Sequence, residues 1–298
     1  MTFTNKKIKV AVHDGSFHPD DIFAVAILSL YLKKSLKIFR TRNPKIFTKM
    51  DYLLDIGGKY NPKKNKFDHH QENWNKKRKN GIPYATSGLL WKEYGKKITN
   101  SNEIAQKIDE SIIQTIDAED NGIEISKKIF ENISPYSFSN YLSSFNSTWK
   151  EGENSLKVFM FVVSEAKKML QREIKQINDQ IISSNIIKEI YKKTKDKRIL
   201  ILDNNYSWEK TIINYPEPLF IIQPVLDKKW NVNAVKLADF KFENKLSFPE
   251  SWAGKTEKEL IEITGISDAI FCHNNKFLCV AKSKEGAIAL AKLAIEKG

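Results

Sequence analysis

Cysteine is scarce in this sequence. Only Cys272 and Cys279 occur among 298 residues, and their spacing matches no common zinc-binding motif. We interpret them as small, half-buried apolar side chains in a hairpin. A disulfide between them is not expected, because a reducing compartment keeps thiols reduced.

Long apolar runs are also missing. No stretch reaches the roughly 18 apolar residues that a membrane-spanning helix requires. The N-terminal residues contain neither an apolar signal core nor an Arg-rich amphipathic presequence. We therefore expect no membrane segment and a cytoplasmic location.

Acidic residues are outnumbered by basic ones. The chain has 49 Lys and Arg against 36 Asp and Glu, which gives a formal net charge of +13. Because Lys and Arg release condensed counterions from phosphates, this excess favours an anionic partner such as nucleic acid. Composition bias is the alternative explanation, since lysine is spread along the whole chain. Hydrophobic residues make up 41% of the sequence, which is enough for packed cores.

The length and the local patterns predict two domains of α/β class. Strand-like and helical segments alternate in the first third, as in a mostly parallel sheet with helices on its faces. A helical pattern from about 154 to 193 either connects two domains or packs wholly on the first. The last third restarts the alternation around a turn at Asn274-Asn275. We assign a first domain to 1–150, a linking helical segment to 151–193 and a smaller C-terminal α/β domain to 194–298.

Histidines and carboxylates cluster at the ends of the early elements. Four of the five histidines fall in the first 70 residues, each beside carboxylates and after a strand-like segment. The carboxyl ends of the strands in an open α/β sheet form the ligand crevice, so we expect these side chains to converge. The set comprises His13, His18, Asp20, Asp21, Asp55, Asp68, His69, His70, Asp117 and Asp120.

Imidazole and carboxylate ligands together suit Mn, Fe, Zn or Ni ions. A bridging carboxylate can hold two ions roughly 3.5–4 Å apart, the spacing used in metal-assisted phosphoester cleavage. Each short motif taken alone also fits helix capping or a satisfied polar contact. The repetition of one ligand chemistry after several successive elements favours a metal centre.

Several motifs resemble the melanocyte proliferating gene exonuclease family of the DHH phosphoesterase superfamily. The match spans nearly the whole chain in the right order. The similar segments are 12–21, 40–44, 54–58, 60–62, 67–71, 86–91, 116–122, 248–254, 265–273 and 284–287.

This resemblance implies a DHH-type fold, with a parallel-sheet catalytic domain, a linking helix and a C-terminal domain that closes over substrate. It implies two divalent ions, with Mn favoured and Mg, Fe or Zn as alternatives. The ligands would be His13 and His18 for one ion, Asp20, His69 and Asp117 for the other, and Asp55 for both.

The resemblance also implies catalytic roles for Asp55, His70 and Asp68. His70 would face the scissile phosphate, and Asp68 would orient His69. Because neighbouring side chains on a strand point apart, we expect His69 and His70 to have different functions. The predicted activity is a 3′–5′ exonuclease on single-stranded RNA, or on DNA, that releases nucleoside monophosphates.

Other residues are candidates for substrate contact. Arg40 and Arg42 fit a phosphate contact or a surface ion pair. His273 fits a satisfied core histidine or a substrate contact. Ser283 and Gly286 stand where a helix start could present backbone amides to a phosphate.

The basic run 75–81 has three readings: a solvated loop, a substrate contact or a nuclear address. Trp74 is a candidate for base stacking, whereas Trp91 and Tyr94 fit core packing.

Two other functions remain open. A small-molecule phosphoesterase would act on short oligonucleotides, cyclic dinucleotides or pyrophosphate. A non-catalytic nucleic-acid-binding protein with a vestigial metal site would have lost ligands, and this sequence retains the set. A structural metal protein is disfavoured, because structural sites are closed, tetrahedral and usually rich in Cys.

Overall fold

The computed structural model describes residues 7–127, 129–238 and 243–298. These residues form two units, and the division falls between Ile177 and Asn178. Each unit is built around its own sheet.

The sheet of the first unit is entirely parallel. Its strands are β1 Ile8–Val12, β2 Leu36–Arg40, β3 Tyr52–Leu54 and β4 Lys66–Phe67, in the order β2-β1-β3-β4. In the register, Val12 pairs with Leu54, and Leu54 pairs with Phe67. The three strands therefore end level with one another, and the residues that follow them emerge at one edge of the sheet.

The first unit also contains several helices. They are α1 Pro19–Leu32, α2 Thr86–Thr99, α3 Asn102–Ile108, α4 Gln114–Asp120 and α5 Phe138–Ser143. The 38-residue α6, Leu156–Lys193, begins in this unit and continues past the division at Ile177. The π-helical turn Asp109–Ile113 joins α3 to α4. Short 3₁₀ helices cover Pro44–Lys49 and Pro62–Lys64.

Helix α1 is apolar on almost every side, and the elements around it bury most of its surface. It packs against α2, α4, α5 and β3, and most of its residues are buried. A helix that is hydrophobic all round belongs inside a core. Asp20 and Asp21 in its first turn are also fully buried, which carboxylates almost never are unless they are paired.

The second unit contains a mixed sheet. Its strands are β5 Ile199–Ile201, β6 Phe220–Pro224, β7 Trp230–Ala234, β8 Ala269–Cys272 and β9 Leu278–Ala281, in the order β5-β6-β7-β9-β8. Only the β5–β6 pair is parallel. Its helices are α7 Glu209–Ile212, α8 Glu257–Thr264 and α9 Lys284–Lys297, with 3₁₀ turns at Leu226–Lys228 and Glu250–Trp252.

The predicted α/β class, the parallel first sheet, the long helix and a second sheet are confirmed. Trp91 and Tyr94 are core residues, as predicted, and both cysteines are buried and free. The short helices α5 and α7 were not predicted, because six and four residues are too few to show a helical period. Within the described residues, no helix is both long and apolar enough to cross a membrane.

Candidate metal centre

The strand ends of the first sheet bring the predicted residues together. His13 directly follows β1, Asp55 follows β3, and the Asp68-His69-His70 run follows β4. Asp20 reaches the same place from the first turn of α1. This convergence is what the crevice of a parallel sheet predicts.

Asp55 lies at the centre of the cluster. Its Oδ1 is 3.4 Å from His69 Nε2 and 3.2 Å from His70 Nδ1, and its Oδ2 is 3.5 Å from His13 Nε2. The hydroxyl of Thr86 donates to Oδ1 at 3.2 Å. Three imidazoles therefore surround one buried carboxylate.

His69 and His70 converge instead of diverging. Both rings reach the same Oδ1 of Asp55, and their centroids are 4.2 Å apart. The expectation that their side chains point apart is wrong, because β4 ends at Phe67 and strand alternation no longer applies beyond it.

Two groups of potential ligands can be distinguished. In the first, ligand atoms of Asp55, His69 and His70 all lie within 4.8 Å of one another; in the second, those of Asp20, His69 and Asp120 do. His69 belongs to both groups. The proximity of two such groups is the arrangement expected around a pair of cations.

The loop before α1 adds two imidazoles. The rings of His13 and His18 have centroids 5.3 Å apart. The carboxylate of Asp21 accepts from the His18 backbone N–H at 2.9 Å, and its other oxygen lies 3.0 Å from His13 Nε2. Asp21 thereby fixes the start of α1 to the cluster.

Asp20 is held by the N-terminus of α2. Its two oxygens accept from the backbone N–H groups of Thr86 at 3.1 Å and Ser87 at 2.6 Å. The free N–H groups of a helix start favour a carboxylate there. Burial raises the pKa of Asp20 well above its ordinary value, and the charges of Asp120, Asp55 and Asp117 add to the rise.

Asp117 lies outside this cluster and is bound instead to the start of α2 and to Arg78. It accepts from Ser87 Oγ at 3.1 Å, from the Gly88 backbone N–H at 3.0 Å and from Arg78 Nη1 at 2.6 Å. Neither group of potential ligands among the described residues includes it.

Asp120 stands in the cluster, with its Oδ2 3.2 Å from His69 Nε2. Asp117 and Asp120 are three residues apart and share one face of α4, so the sequence offers either of them as a potential ligand.

The atoms of this cluster are arranged as ligands for cations rather than as hydrogen-bond partners of one another. His13 Nε2, Asp21 Oδ2 and His69 Nε2 are buried and face one another or the Asp55 and Asp120 carboxylates, without well-formed hydrogen bonds among the described residues. Buried polar atoms normally make such bonds, so this arrangement favours a cation as their common partner. Burial also raises the pKa of Asp120, with the charge of Asp55 adding to the rise. Crowded, buried carboxylates beside imidazole nitrogens are typical ligands of a divalent transition metal.

Asp68 contacts His70 in this structure. It accepts from the His70 backbone N–H and lies beside its Nδ1, both at 3.0 Å, and it also accepts from the Gly58 N–H. Hydrogen bonds to Asp55 and Asp68 raise the pKa of His70 to about 10. The His70 side chain is 64% exposed, so this imidazole is accessible, as is that of His18.

The basic run 75–81 contains one residue that is not solvated. The Arg78 side chain is 6% exposed; it binds both oxygens of Asp109 at 2.7 and 3.0 Å as well as Asp117, and it stacks on Tyr84. Sequence reasoning did not predict this buried pairing, because a run of basic residues carries no mark of which one turns inward. Trp74 donates from Nε1 to the Tyr84 carbonyl, which fixes its ring locally.

The two arginines after β2 differ in their surroundings. Arg40 donates to the Gly15 carbonyl at 2.8 Å and lies over the Phe17 and Phe159 rings. Arg42 is exposed and pairs with Asp14 at 3.3 Å. Arg40 therefore supports the loop that carries His18.

The same loop is held by two asparagines that the sequence did not single out. Asn146 accepts from the Phe17 N–H and donates to the Phe17 carbonyl, both at 2.9 Å. Asn154 donates to the Gly15 carbonyl at 3.1 Å.

The remaining candidates belong to the second unit. Ser283 is the N-cap of α9, and both its N–H and its hydroxyl donate to Asp268. Gly286 donates to Ser283 Oγ, and a Cβ added at Gly286 would overlap the Asp268 carboxylate. The start of α9 is thus capped by side chains of its own unit. His273 lies against Phe277, with ring centroids 4.4 Å apart.

Comparison with known proteins gives a consistent result. The family model for the MYG1 exonuclease family, described as an uncharacterised protein family (UPF0160), matches residues 9–295. A MYG1 protein of Schizosaccharomyces pombe is 28% identical, over 98% of this chain and 98% of the relative. The MYG1 exonuclease of Mus musculus is 26% identical, over 96% of this chain and 84% of the relative, and that of Homo sapiens is 23% identical, over 96% and 85%.

A search of solved structures found RecJ from Thermus thermophilus in complex with Mn²⁺. The TM-score is 0.29 at 12% identity, covering 98% of this chain and 52% of RecJ. This chain therefore spans about half the length of RecJ, and a likeness of this size does not establish a common fold.

Proposed function

The chain belongs to the MYG1 exonuclease family, and on this premise we propose that it is a metal-dependent phosphodiesterase that shortens single-stranded nucleic acid from one end. RNA is the favoured substrate, attack from the 3′ end the favoured polarity, and nucleoside monophosphates the expected products.

One observation carries the proposal. Asp20, Asp55 and Asp120 are brought beside His69 and His70 as two adjoining groups of potential ligands. Buried imidazole and carboxylate atoms that lack well-formed hydrogen bonds lie in the same cluster. We propose that Asp20, Asp55, His69 and Asp120, together with His13 and His18, would hold two divalent ions, with Mn favoured. Asp55 is central to the cluster and has two carboxylate oxygens, which suits it to contact both ions, whereas His69 would bind one of them.

Bound divalent ions supply Lewis acidity and a water of lowered pKa, which is the chemistry that phosphodiester hydrolysis needs. The protein holds the ligand side chains in position. Asp20 is fixed by two backbone N–H groups of α2, and Asp55 by the Thr86 hydroxyl. The ligand set is therefore preorganised before substrate arrives, which lowers the reorganisation required during reaction.

His70 is placed to act on the phosphate. Its Nδ1 faces Asp55 and Asp68, which keep the ring protonated at neutral pH and leave Nε2 as an exposed donor. We propose that Nε2 donates to a non-bridging oxygen of the scissile phosphate as negative charge develops there. Removal of such a donor typically slows turnover by roughly 10²–10³-fold.

Asp117 and Arg78 have a different role in this proposal. Asp117 joins α4 to the start of α2 through Ser87 and Gly88, and Arg78 compensates its charge. Because Asp120 is on the same short helix, this pair positions a ligand without being one. The ligand role that the family resemblance implies for Asp117 thus passes to Asp120.

A polymer substrate is supported by the net charge of +13 and by the exonuclease names of the mouse and human relatives. The test is to incubate purified protein with end-labelled RNA, DNA and dinucleotides, each with Mn²⁺ or Mg²⁺, and to resolve the products over time. Stepwise shortening of single strands, abolished by Asp55→Asn, is the expected result.

Turnover of dinucleotides or pyrophosphate alone would replace the polymer with a small-molecule substrate. Binding of nucleic acid without any cleavage would instead identify a non-catalytic binding protein.

A further inference from the structure

A wide groove opens from the candidate metal centre within the first unit. It has a volume of about 1250 Å³, and His18, Asp20 and Asp120 form part of its lining. The rest of its lining comes from the end of α4, the segment that follows it, and residues 134–143. No residue of this groove beyond the centre itself has a role in the function proposed above.

The chemistry of the lining is amphipathic and nearly uncharged. Apolar surface is provided by Pro19, Pro135 and two isoleucines, Ile123 and Ile125, which are 38% and 52% exposed. Hydroxyl and amide groups supply the polar part of the described lining, from Thr115, Ser126, Ser134, Ser137, Ser139, Asn140 and Ser143.

The charge of the described lining disfavours a phosphate backbone in this groove. Beyond the metal centre, the charged side chains of its described lining are Glu119, Glu124 and Lys127. A nucleic-acid strand carries one phosphate for each nucleotide, and proteins that track it use grooves rich in Lys and Arg. One lysine against two glutamates does not provide that, although the chain as a whole carries +13.

We propose that this groove binds the terminal nucleoside of the strand, while the adjoining centre holds the scissile phosphate. A terminal nucleoside is the one part of the substrate without a further phosphate. Its base and sugar offer apolar faces to the isoleucines and prolines, and hydrogen-bonding edges to the hydroxyl and amide groups. The inference rests on the proposed nuclease function and adds a reason for attack at chain ends.

The groove is large enough for this occupant. Its volume exceeds the usual 300–1,000 Å³ of small-molecule pockets. Discrimination against internal positions therefore comes from charge rather than from size. A strand threaded through the groove would place its next phosphates among uncharged side chains, two glutamates and one lysine, Glu119, Glu124 and Lys127.

The test places a charge in the groove without disturbing the centre. Ile125→Asp and Ser139→Trp change the lining, the first by repulsion and the second by filling space. Ile125 is exposed, so aspartate there does not disrupt a core. Ile129→Asp is the matched control, because Ile129 is on the same segment, is 89% exposed and does not line the groove.

Two substrates separate the groove from the metal centre. One is a single-stranded oligonucleotide with hydroxyl ends, and the other is methyl p-nitrophenyl phosphate, a diester too small to depend on the groove. With Mn²⁺ bound, both groove variants should raise the oligonucleotide KM at least tenfold. Their kcat/KM on the small diester should stay within twofold of the wild type, and Ile129→Asp should change neither.

An unchanged oligonucleotide KM in both groove variants, or an equal loss on both substrates, would overturn the nucleoside site. Failure of the nuclease function itself looks different, because the wild-type protein would then leave the oligonucleotide intact with either metal. Metal content and thermal unfolding of each variant show whether the centre and the fold are preserved.

Discussion

Arg78 Nη1 lies 2.6 Å from Asp117 Oδ2, and the pair is almost completely buried. The same guanidinium binds both oxygens of Asp109. One arginine from a basic loop therefore fastens the π-helical turn and α4, and Asp120 is three residues beyond the fastened position. The position of a proposed metal ligand, Asp120, thus depends on an ion pair outside the proposed ligand set.

Arg78→Met should destabilise the first unit. The change leaves two carboxylates without their cation, and breaking a buried pair by removing one partner costs about 3–5 kcal/mol. Chemical denaturation of the metal-free protein measures this loss. Lys77→Met is the control, since Lys77 is exposed in the same loop. Equal stability of the two variants would contradict the structural role of Arg78.

Asp120→Asn and Asp117→Asn should differ in metal binding. Asp120 is grouped with Asp20 and His69, so its amide variant should lose at least one bound ion. Asp117→Asn should keep the metal but unfold more readily, because its partner is Arg78. Elemental analysis after dialysis against Mn²⁺ decides between them. Glu119→Gln, an exposed neutralisation on the same helix, should bind metal like the wild type.

His70 should titrate far above an ordinary histidine in the metal-free protein. Its pKa of about 10 exceeds the unfolded value of 6.5, because Asp55 and Asp68 favour the protonated ring. The resulting stabilisation is fully present below pH 6.5 and is lost as the pH rises toward 10. NMR titration of the chelator-treated protein measures the pKa, and His70→Asn should flatten this part of the stability profile. A midpoint near 6.5 would refute the assignment.

Asn146→Ala should weaken metal binding although Asn146 is not a ligand. Its side chain makes two hydrogen bonds to the Phe17 peptide, next to His18, and each contributes about 1 kcal/mol to the loop. Mn²⁺ affinity by calorimetry should fall, while overall unfolding changes by about 2 kcal/mol at most. Asn205→Ala, an exposed change in the second unit, is the control. Unaltered affinity would show that the loop holds His18 without this clamp.

Most strands and long helices of the fold could be predicted from the sequence, and there is a physical reason why these elements were accessible. Buried strands such as Ile8–Val12 and the long helix Leu156–Lys193 have strong local patterns, so they can be recognised from residues that are neighbours in the sequence. Strand ends then place His13, Asp55 and His69 at one edge of the sheet. That much of the candidate centre follows from the order of elements alone.

The finer contacts depend on distances that a sequence does not specify. Asp117 and Asp120 are equivalent by residue type and by helix face, and only packing against α2 separates them. Likewise, His70 turns toward Asp55 because β4 ends early, at Phe67. The inward turn of Arg78 requires Asp109 and Asp117, which are more than thirty positions away.

Asp55 also satisfies a requirement of the backbone. Its φ of 56° lies in the left-handed region, which among residues with a side chain mainly Asn and Asp adopt routinely. Glutamate at this position would keep the charge but strain the turn, and alanine would lose both charge and conformation. Asparagine alone preserves the turn while removing the carboxylate. Asp55→Asn is therefore the substitution that fits this backbone conformation best while removing the charge, and it should yield a folded protein without the proposed chemistry.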